Sequence, residues 1–271
     1  MKAFRLLLAL ALAAAALPAA AQEFVFGINE GVTYRITPHE TRERYRELGE
    51  MLSKALKRPV KLVPVDQYPV LQKNYEAKAY DLAYIHPTHH ALRAMRDSGY
   101  KLVAVTKGYT DYKASFLTKP DAPYKQPQDV LKTKMVMPDP DSITAWMVRA
   151  TLRDLGADPA KVSLGTTRYQ DGIPFMMENG FYEVGITAAN AVVKDWQSKG
   201  GKVLFQSKPV PIKILVASPN VSAAEIEKIR EVFLSLEGSK EGQAILDKLK
   251  FKGYQPGDDK LMAELAKWLG I

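Results

Sequence analysis

The chain has 271 residues, no cysteine and a formal net charge of +8. The missing cysteines exclude a disulfide-stapled scaffold, so stability must come from a large core, which this length builds in one or two domains. The basic residues are spread along the chain, with no compact basic, aromatic-interleaved motif for nucleic acid, and read as solvated surface with a mild bias toward anionic ligands.

The first stretch, "MKAFRLLLALALAAAALPAAAQ", has the layout of an export signal. Lys2 and Arg5 give a positive start, and Leu6 to Leu17 is an apolar run shorter than the ~20 residues of a membrane span. Ala19 to Ala21 fits an A-x-A cleavage site, which predicts a signal peptide over residues 1–21 and a mature chain from Gln22. Without Lys2 and Arg5 the charge falls from +8 to +6. No other apolar run is long enough to span a membrane, and no internal repeat or low-complexity tract appears.

Strand and helix then alternate. "FVFGIN" (24–29) reads as a strand. Residues 39–58 form a charged amphipathic helix, with Tyr45, Leu48, Leu52 and Leu56 at three- and four-residue steps. "VKLVPVD" predicts a strand, "YPVLQKNYEAKAY" a helix and "DLAYI" a buried strand, nearly continuous in apolar character. "THHALRAMRDSG" is a helix stopped by Gly99, and "KLVAVTKG" the next strand. After Gly108 the pattern repeats: "KASFLTK" a strand, "QPQDVLK" a short helix, "KMVMPD" a strand. "SITAWMVRATLRDLG" is a helix capped by Ser142 and ended by Gly156. "VSLGTT", "YQDGIPFMMENG" and "EVGITAA" read as strand, helix and strand. The chain crosses back through "KVLFQSKPVPIKILVAS" and ends in helices over 222–236, 239–248 and 258–269. Strands separated by helices imply an α/β fold with parallel sheets. Two such units with a returning tail imply two lobes joined by crossings near Lys107–Tyr112 and Phe205–Pro211.

Ligands of open parallel sheets sit beyond the carboxyl ends of the strands. Here those ends are Asn29–Arg35, His86–Thr88, Asp139–Thr144, Arg168–Asp171 and Thr187–Asn190. Ser142 and Thr144 stand at a helix start, where free N–H groups and the helix dipole favour an anion; Ser142 also serves as N-cap, worth ~1 kcal/mol. Thr88 offers a similar donor set from the other lobe. Arg35 and Arg168 are the arginines at these ends, suited to bidentate pairing with a carboxylate or phosphoryl group. Tyr34, Tyr109 and Tyr169 suit cleft walls, whereas Tyr84, inside a strand, suits the core. Asp171 and Glu30 suit a ligand amino group or pairing with the arginines. His86, in a strand-end turn, should point into the cleft, with His89 and His90 on the flank of the following helix. A metal held by His86 with His89 or His90 is an alternative, although zinc wants three or four such ligands. No G-x-S-x-G, P-loop, G-x-G-x-x-G or H-E-x-x-H signature is present, so no catalytic residue, cofactor or resident metal is expected.

"GINEG" is followed by Asp81-Leu82-Ala83-Tyr84-Ile85-His86-Pro87, by Gly108-Tyr109 with Tyr112-Lys113-Ala114-Ser115 at a crossing, by Asp139-Pro140-Asp141-Ser142-Ile143-Thr144 and by "MMENGFYEVGIT". Together these segments resemble the exported solute-binding proteins of ABC importers, and more closely their phosphate/phosphite/phosphonate-binding branch, related to type II periplasmic binding proteins. Asp81 to Pro87 matches that branch's D-[IV]-A-[WY] and its turn, Asp139 to Thr144 its D-P-x-S-x-[ST], and "MMENGFYEVGIT" its later helix and strand. The chain departs from the branch at "DSITAW", at Arg168–Asp171 and at Thr187.

The resemblance implies a two-lobed periplasmic binding protein fold, each lobe a mostly parallel sheet flanked by helices, joined by a two-crossing hinge. Lobe I would comprise 22–108 and 209–271, and lobe II 109–208. It implies a periplasmic monomer that captures a small oxyanion or organic acid and delivers it to an ABC transporter permease. The expected ligand-binding residues are Tyr34, Arg35, His86, Thr88, Tyr109, Ser142, Thr144, Arg168, Tyr169, Asp171, Thr187 and Asn190. The alternatives are a sensing subunit for a membrane kinase, a metal-binding exported protein centred on His86, and an exported enzyme without a recognisable signature.

Overall fold

The computed structural model describes residues 22–31 and 36–271. The expected signal peptide, Tyr34 and Arg35 lie outside the described residues. Among the described residues no helix is long and apolar enough to cross a membrane.

The chain opens with β1 (Phe24–Asn29), α1 (Pro38–Leu56), β2 (Val60–Pro64), α2 (Tyr68–Glu76), β3 (Leu82–Ile85), α3 (Thr88–Ser98) and β4 (Lys101–Thr106). It continues through β5 (Ser115–Thr118), β6 (Met135–Met137), α4 (Ile143–Asp154), β7 (Leu164–Thr166), α5 (Ile173–Glu178), β8 (Val184–Thr187), α6 (Asn190–Ser198) and β9 (Lys202–Gln206). It closes with β10 (Ile214–Ala217), α7 (Ala223–Ser235), α8 (Lys240–Leu249), β11 (Tyr254–Gln255) and α9 (Asp259–Leu269).

Two sheets result, ordered β11-β4-β10-β3-β1-β2 and β7-β6-β8-β5-β9. The chain passes from the first to the second between β4 and β5, and returns between β9 and β10. In each sheet four strands share one direction. The strand laid down immediately after a crossing is the exception: β5 runs antiparallel to β8 and β9, and β10 antiparallel to β3 and β4. The sheets are mostly parallel, as expected, with the reversed pairings at the strands that follow the crossings. A strand arriving directly from the other lobe has no crossover helix to turn it round. The two-residue β11 also runs antiparallel to β4.

Local chemistry accounts for the elements. α1 starts at Thr37, whose hydroxyl accepts from the Glu40 N–H while the Glu40 carboxylate accepts from the Thr37 N–H; Pro38 presets the first turn. Its buried stripe of Tyr45, Leu48 and Leu52 packs on the first sheet, and each such side chain contributes roughly 1.5–3 kcal/mol. The stretch read as one helix over 169–180 is a 3₁₀ turn at Gln170–Gly172 followed by α5, and "QPQDVLK" is also a 3₁₀ turn, Pro127–Lys132. The run "KVLFQSKPVPIKILVAS" divides into β9 and β10 because Pro209 and Pro211 remove N–H donors between them. α6 was not expected from sequence: only Trp196 of it is buried, so its apolar stripe is a single residue.

The lobes also meet through helices. α3 packs on α4, and α9 packs on both, so one apolar core runs from Tyr68, Ile85 and Leu92 to Met147, Leu152 and Leu265. Gly27, in the middle of β1, lies under the Tyr80 ring, and a Cβ there would stand 2.6 Å from it. Gly27→Ala is therefore expected to destabilise the protein by about 1–3 kcal/mol through overpacking. Urea unfolding with an unchanged midpoint would show that Tyr80 yields freely.

Candidate functional site: a basic cavity between the lobes

The end of β1 is fixed by Asn29. Its amide donates to the Val65 carbonyl at 2.7 Å and its side-chain oxygen accepts from the Gly31 N–H at 2.9 Å. The turn places Gly31 at φ 91°, a conformation that favours glycine. Glu30, between them, is turned inward and buried. One carboxylate oxygen accepts from the Tyr45 hydroxyl at 2.8 Å and lies 3.4 Å from Arg44; the other lies 3.7 Å from the Lys213 ammonium. Arg44 also donates to the Leu249 carbonyl at the last residue of α8, at 3.0 Å. Cations are favoured at such a helix end.

Lys213 immediately precedes β10, so the return crossing delivers it to the root of the cleft. Its ammonium sits 4.2 Å from the Tyr109 ring centroid and 4.5 Å from that of Phe251. Cation–π contacts offset part of its desolvation, at about 0.5–2 kcal/mol each. Burial lowers the Lys213 pKa and Arg44 pushes the same way, with Glu30 opposing them. Two backbone bonds join the crossings, Tyr112 to Val210 at 3.2 Å and Val210 to Tyr112 at 2.9 Å, and the Ile212 N–H donates to the Tyr109 carbonyl.

These groups enclose a cavity of about 290 Å³. Glu30, Arg44 and His86 come from the first sheet's side, Ala188 and Asn190 from the second, and Tyr109, Tyr112, Lys113, Ile212 and Lys213 from the crossings. Lys113 is paired with Asp111 at 2.7 Å. A second chamber of about 280 Å³ shares Glu30 and Ile36 with the first and is walled by Thr41, Asp66, Arg168 and Tyr169. A wider outer chamber shares Asp66 and Arg168 with that one.

Of the described residues expected at the site, His86, Tyr109 and Asn190 line the inner cavity, and Arg168 and Tyr169 the second, with the Arg168 guanidinium 5.3 Å from the Tyr169 ring centroid. The others stand apart from these two chambers. The Thr88 hydroxyl donates to the Pro211 carbonyl at 2.6 Å and pins α3 to the return crossing. Thr187 donates to Gln170, whose amide oxygen also accepts from the Ala188 N–H, so this hydroxyl shapes the loop after β8. Asp171 is exposed on its 3₁₀ turn.

Ser142 and Thr144 are buried and line none of the three chambers. Ser142 caps α4 by accepting from the Ala145 N–H, and the helix start packs against α3. His89 and His90, expected on a helix flank, are buried at that contact. His89 bonds the Asp141 carbonyl at 2.7 Å and stacks on Trp146, while His90 lies 4.6 Å from the Tyr68 ring centroid. The first turn of α3, just after His86, and the tip of α4 thus touch, and the outer chamber opens beside that tip at Asp139, Pro140 and Asp141. Among the described residues no three metal-ligating side chains converge.

Sequence reasoning missed Arg44, Lys113 and Lys213. Arg44 is one of three arginines in the first turns of α1, and the periodicity does not say which one turns inward. Lys213 carried a usable signal: it is a lone charge against the buried run "ILVA".

The comparisons agree with this architecture. The model of the phosphonate-binding periplasmic substrate-binding proteins of ABC transporters matches residues 31–262. The chain belongs to that family: it is a periplasmic substrate-binding protein for transport, serving a small-molecule ligand and an ABC permease. Solved structures share the fold at low identity. XAC2383 from Xanthomonas citri bound to ATP is 14% identical, with 92% of this chain and 98% of that one covered and a TM-score of 0.76. PhnD1 from Prochlorococcus marinus in complex with methylphosphonate is 15% identical over 91% and 97%, with a TM-score of 0.71. The aliphatic sulphonate binding protein SsuA from Escherichia coli is 11% identical over 92% and 90%, with a TM-score of 0.59. A sequence search of curated proteins finds no match.

The buried histidines set a pH dependence. Burial pushes His86 and His89 well below the ordinary imidazole range, helped by Lys213 and His90 respectively; burial, then Arg93, takes His90 to about 3. In the unfolded chain they take up protons near pH ~6.5. The unfolded state then binds more protons below that value, so stability is full above about pH 6.5 and falls as the pH drops, by up to ~1.4 kcal/mol per unit per histidine. His90→Phe should flatten urea-unfolding stability between roughly pH 6.5 and 5 by about a third of this loss. An unchanged slope would mean that His90 titrates normally in the fold.

Proposed function

We propose that the ligand's anionic group seats in the inner cavity against Lys213 and Arg44, with His86, Tyr109, Lys113 and Asn190 around it and Glu30 beneath. The second chamber, with Arg168 and Tyr169, takes the rest of the molecule. The observation that carries this reading is a buried cation at the root of an interlobe cavity, where an anion meets preformed positive charge. The ligand class is an organophosphonate or a close oxyanion analogue, in keeping with the family and with the methylphosphonate bound to PhnD1.

Lobe I then comprises 22–108 with 209–271, and lobe II 109–208. The strand exchange at β4–β5 and β9–β10 supports these limits. Residues 1–21 form a cleavable signal peptide that takes the chain to the periplasm, a reading supported by their composition and the family. The protein works as a monomer, since side chains of one copy suffice to wall the cavity. Neither a sensing role for a membrane kinase nor a metal centre at His86 has an observation in its favour.

Calorimetric titration with methylphosphonate tests the reading. The wild type should bind, and Lys213→Met should bind roughly thirtyfold more weakly, about 2 kcal/mol for one lost charge-assisted bond. Methionine keeps the apolar stem between Tyr109 and Phe251, so folding is expected to survive. Equal affinity in the variant would remove Lys213 from the site.

A further inference from the structure

Glu30 is an unexpected group beside an anion. Its side chain is only 5% exposed, yet it lines both inner chambers. Its two oxygens differ. The first is engaged by Tyr45 and Arg44. The second has the Lys213 ammonium at 3.7 Å, a long contact, and no closer donor among the described residues. An acceptor with spare lone pairs therefore stands at the floor of a site for acceptor-rich ligands.

A deprotonated ligand oxygen placed there meets a carboxylate lone pair to lone pair. An oxygen carrying a proton instead donates a short O–H···O⁻ bond, among the strongest of neutral-to-charged pairings. The charge count agrees. Among the described residues, Arg44 and Lys213 against Glu30 leave one net positive charge, and Lys113 with Asp111 adds none. The cavity is complementary to a ligand with one negative charge and one acidic proton. A singly ionised phosphonate has both. A sulfonate has the charge without the proton, and a doubly ionised phosphonate has two charges and no proton.

We propose that Glu30 reads a proton on the ligand, so that the cleft takes the singly ionised hydrogen phosphonate and rejects sulfonates and the fully ionised phosphonate. This rests on the placement of the anion proposed above. Among the described residues, the other titratable groups around Glu30 are Arg44 and Tyr45 on α1, Tyr84 on β3 and His86 at its end, Tyr109, Asp111, Tyr112, Lys113 and Lys213 on the crossings, Tyr254 on β11, and Asp66, Arg168 and Tyr169 in the second chamber. Burial holds the Tyr45, Tyr84 and Tyr254 hydroxyls protonated and the His86 ring neutral near neutral pH. Lys213 serves any anion alike, so its titration does not separate phosphonate from sulfonate.

Calorimetry with methylphosphonate and methanesulfonate, from roughly pH 6 to 9, tests this. At the acid end methanesulfonate should bind at least about a hundredfold more weakly, the penalty for a ligand lacking the hydrogen its site is built to receive. Methylphosphonate affinity should fall toward about tenfold per pH unit above its second ionisation, as the competent fraction shrinks. Glu30→Gln keeps an oxygen for Tyr45 and gains an N–H for a bare sulfonate oxygen, so the gap between the probes should narrow. The pH profile of methanesulfonate on that variant reports the titrations of the protein, Lys213 among them, with no proton on the ligand. Methanesulfonate bound within about threefold of methylphosphonate by the wild type, or a flat methylphosphonate profile, overturns the proposal and leaves the site reading intact. If neither probe binds, both fall. Should the variant fail to fold, the wild-type comparison decides by itself.

Discussion

The backbone pairing of Tyr112 with Val210 is the joint on which the rest of the molecule depends. Each sheet receives a reversed strand from the opposite lobe's direction, and the two crossing segments bond to each other on the way. The connection is therefore a short two-stranded hinge with defined register. Side chains beside it are fixed relative to both sheets. This is why a lysine one residue before β10 can serve as a buried charge: its backbone carbonyl accepts from the Thr106 N–H at 2.9 Å, and its stem lies between two rings. A lysine on a loose linker would swing into water, since burying an ammonium without such supports costs several kcal/mol.

Desolvation explains the composition around that charge. Arg44 and Lys213 offset the burial of one carboxylate, and Tyr45 adds a hydroxyl bond that burial keeps protonated. The cluster is over-supplied with positive charge by one unit. In a low-dielectric cleft such an excess is a standing attraction for an anion, worth far more there than on the surface. Surface lysines elsewhere on the chain contribute to the net charge of +8 but little to local selectivity, because salt screens them.

The fold was legible because its grammar is repetitive. β1, β3 and β4 read as apolar runs, α1 as a three-and-four stripe, and the two crossings fell where the strand–helix alternation restarted. The reversed strands were not legible, since pairing direction leaves no mark on the residues of β5 or β10. Strand-end logic selected His86, Asn190, Arg168 and Tyr169, which line the two chambers, but it also selected Ser142, Thr88 and Thr187, whose hydroxyls cap, pin or shape the backbone, and Thr144, which is buried and lines no chamber. A hydroxyl at a strand or helix end serves both uses, and only packing tells them apart. Arg44 and Lys213 lay in a helix and at a strand start, away from the positions that logic inspects. Their orientation comes from long-range partners, Leu249 and Glu30 for one, Tyr109 and Phe251 for the other.

The division of labour across the cleft is unequal. The charged groups of the inner cavity stand on the first sheet's side or on the crossings, while the second sheet contributes Ala188 and Asn190. The attraction for an anion thus exists before the second lobe approaches. What the second lobe can add is exclusion of water, which strengthens every interaction already made, and Arg168 and Tyr169, which wall the second chamber. The paired crossings are the connection between the lobes and also line the cavity, so any closing rotation has its pivot beside it. Residues next to a pivot move least. A charge cluster that must keep its geometry through opening and closing is best placed there, and Glu30, Arg44 and Lys213 occupy that position.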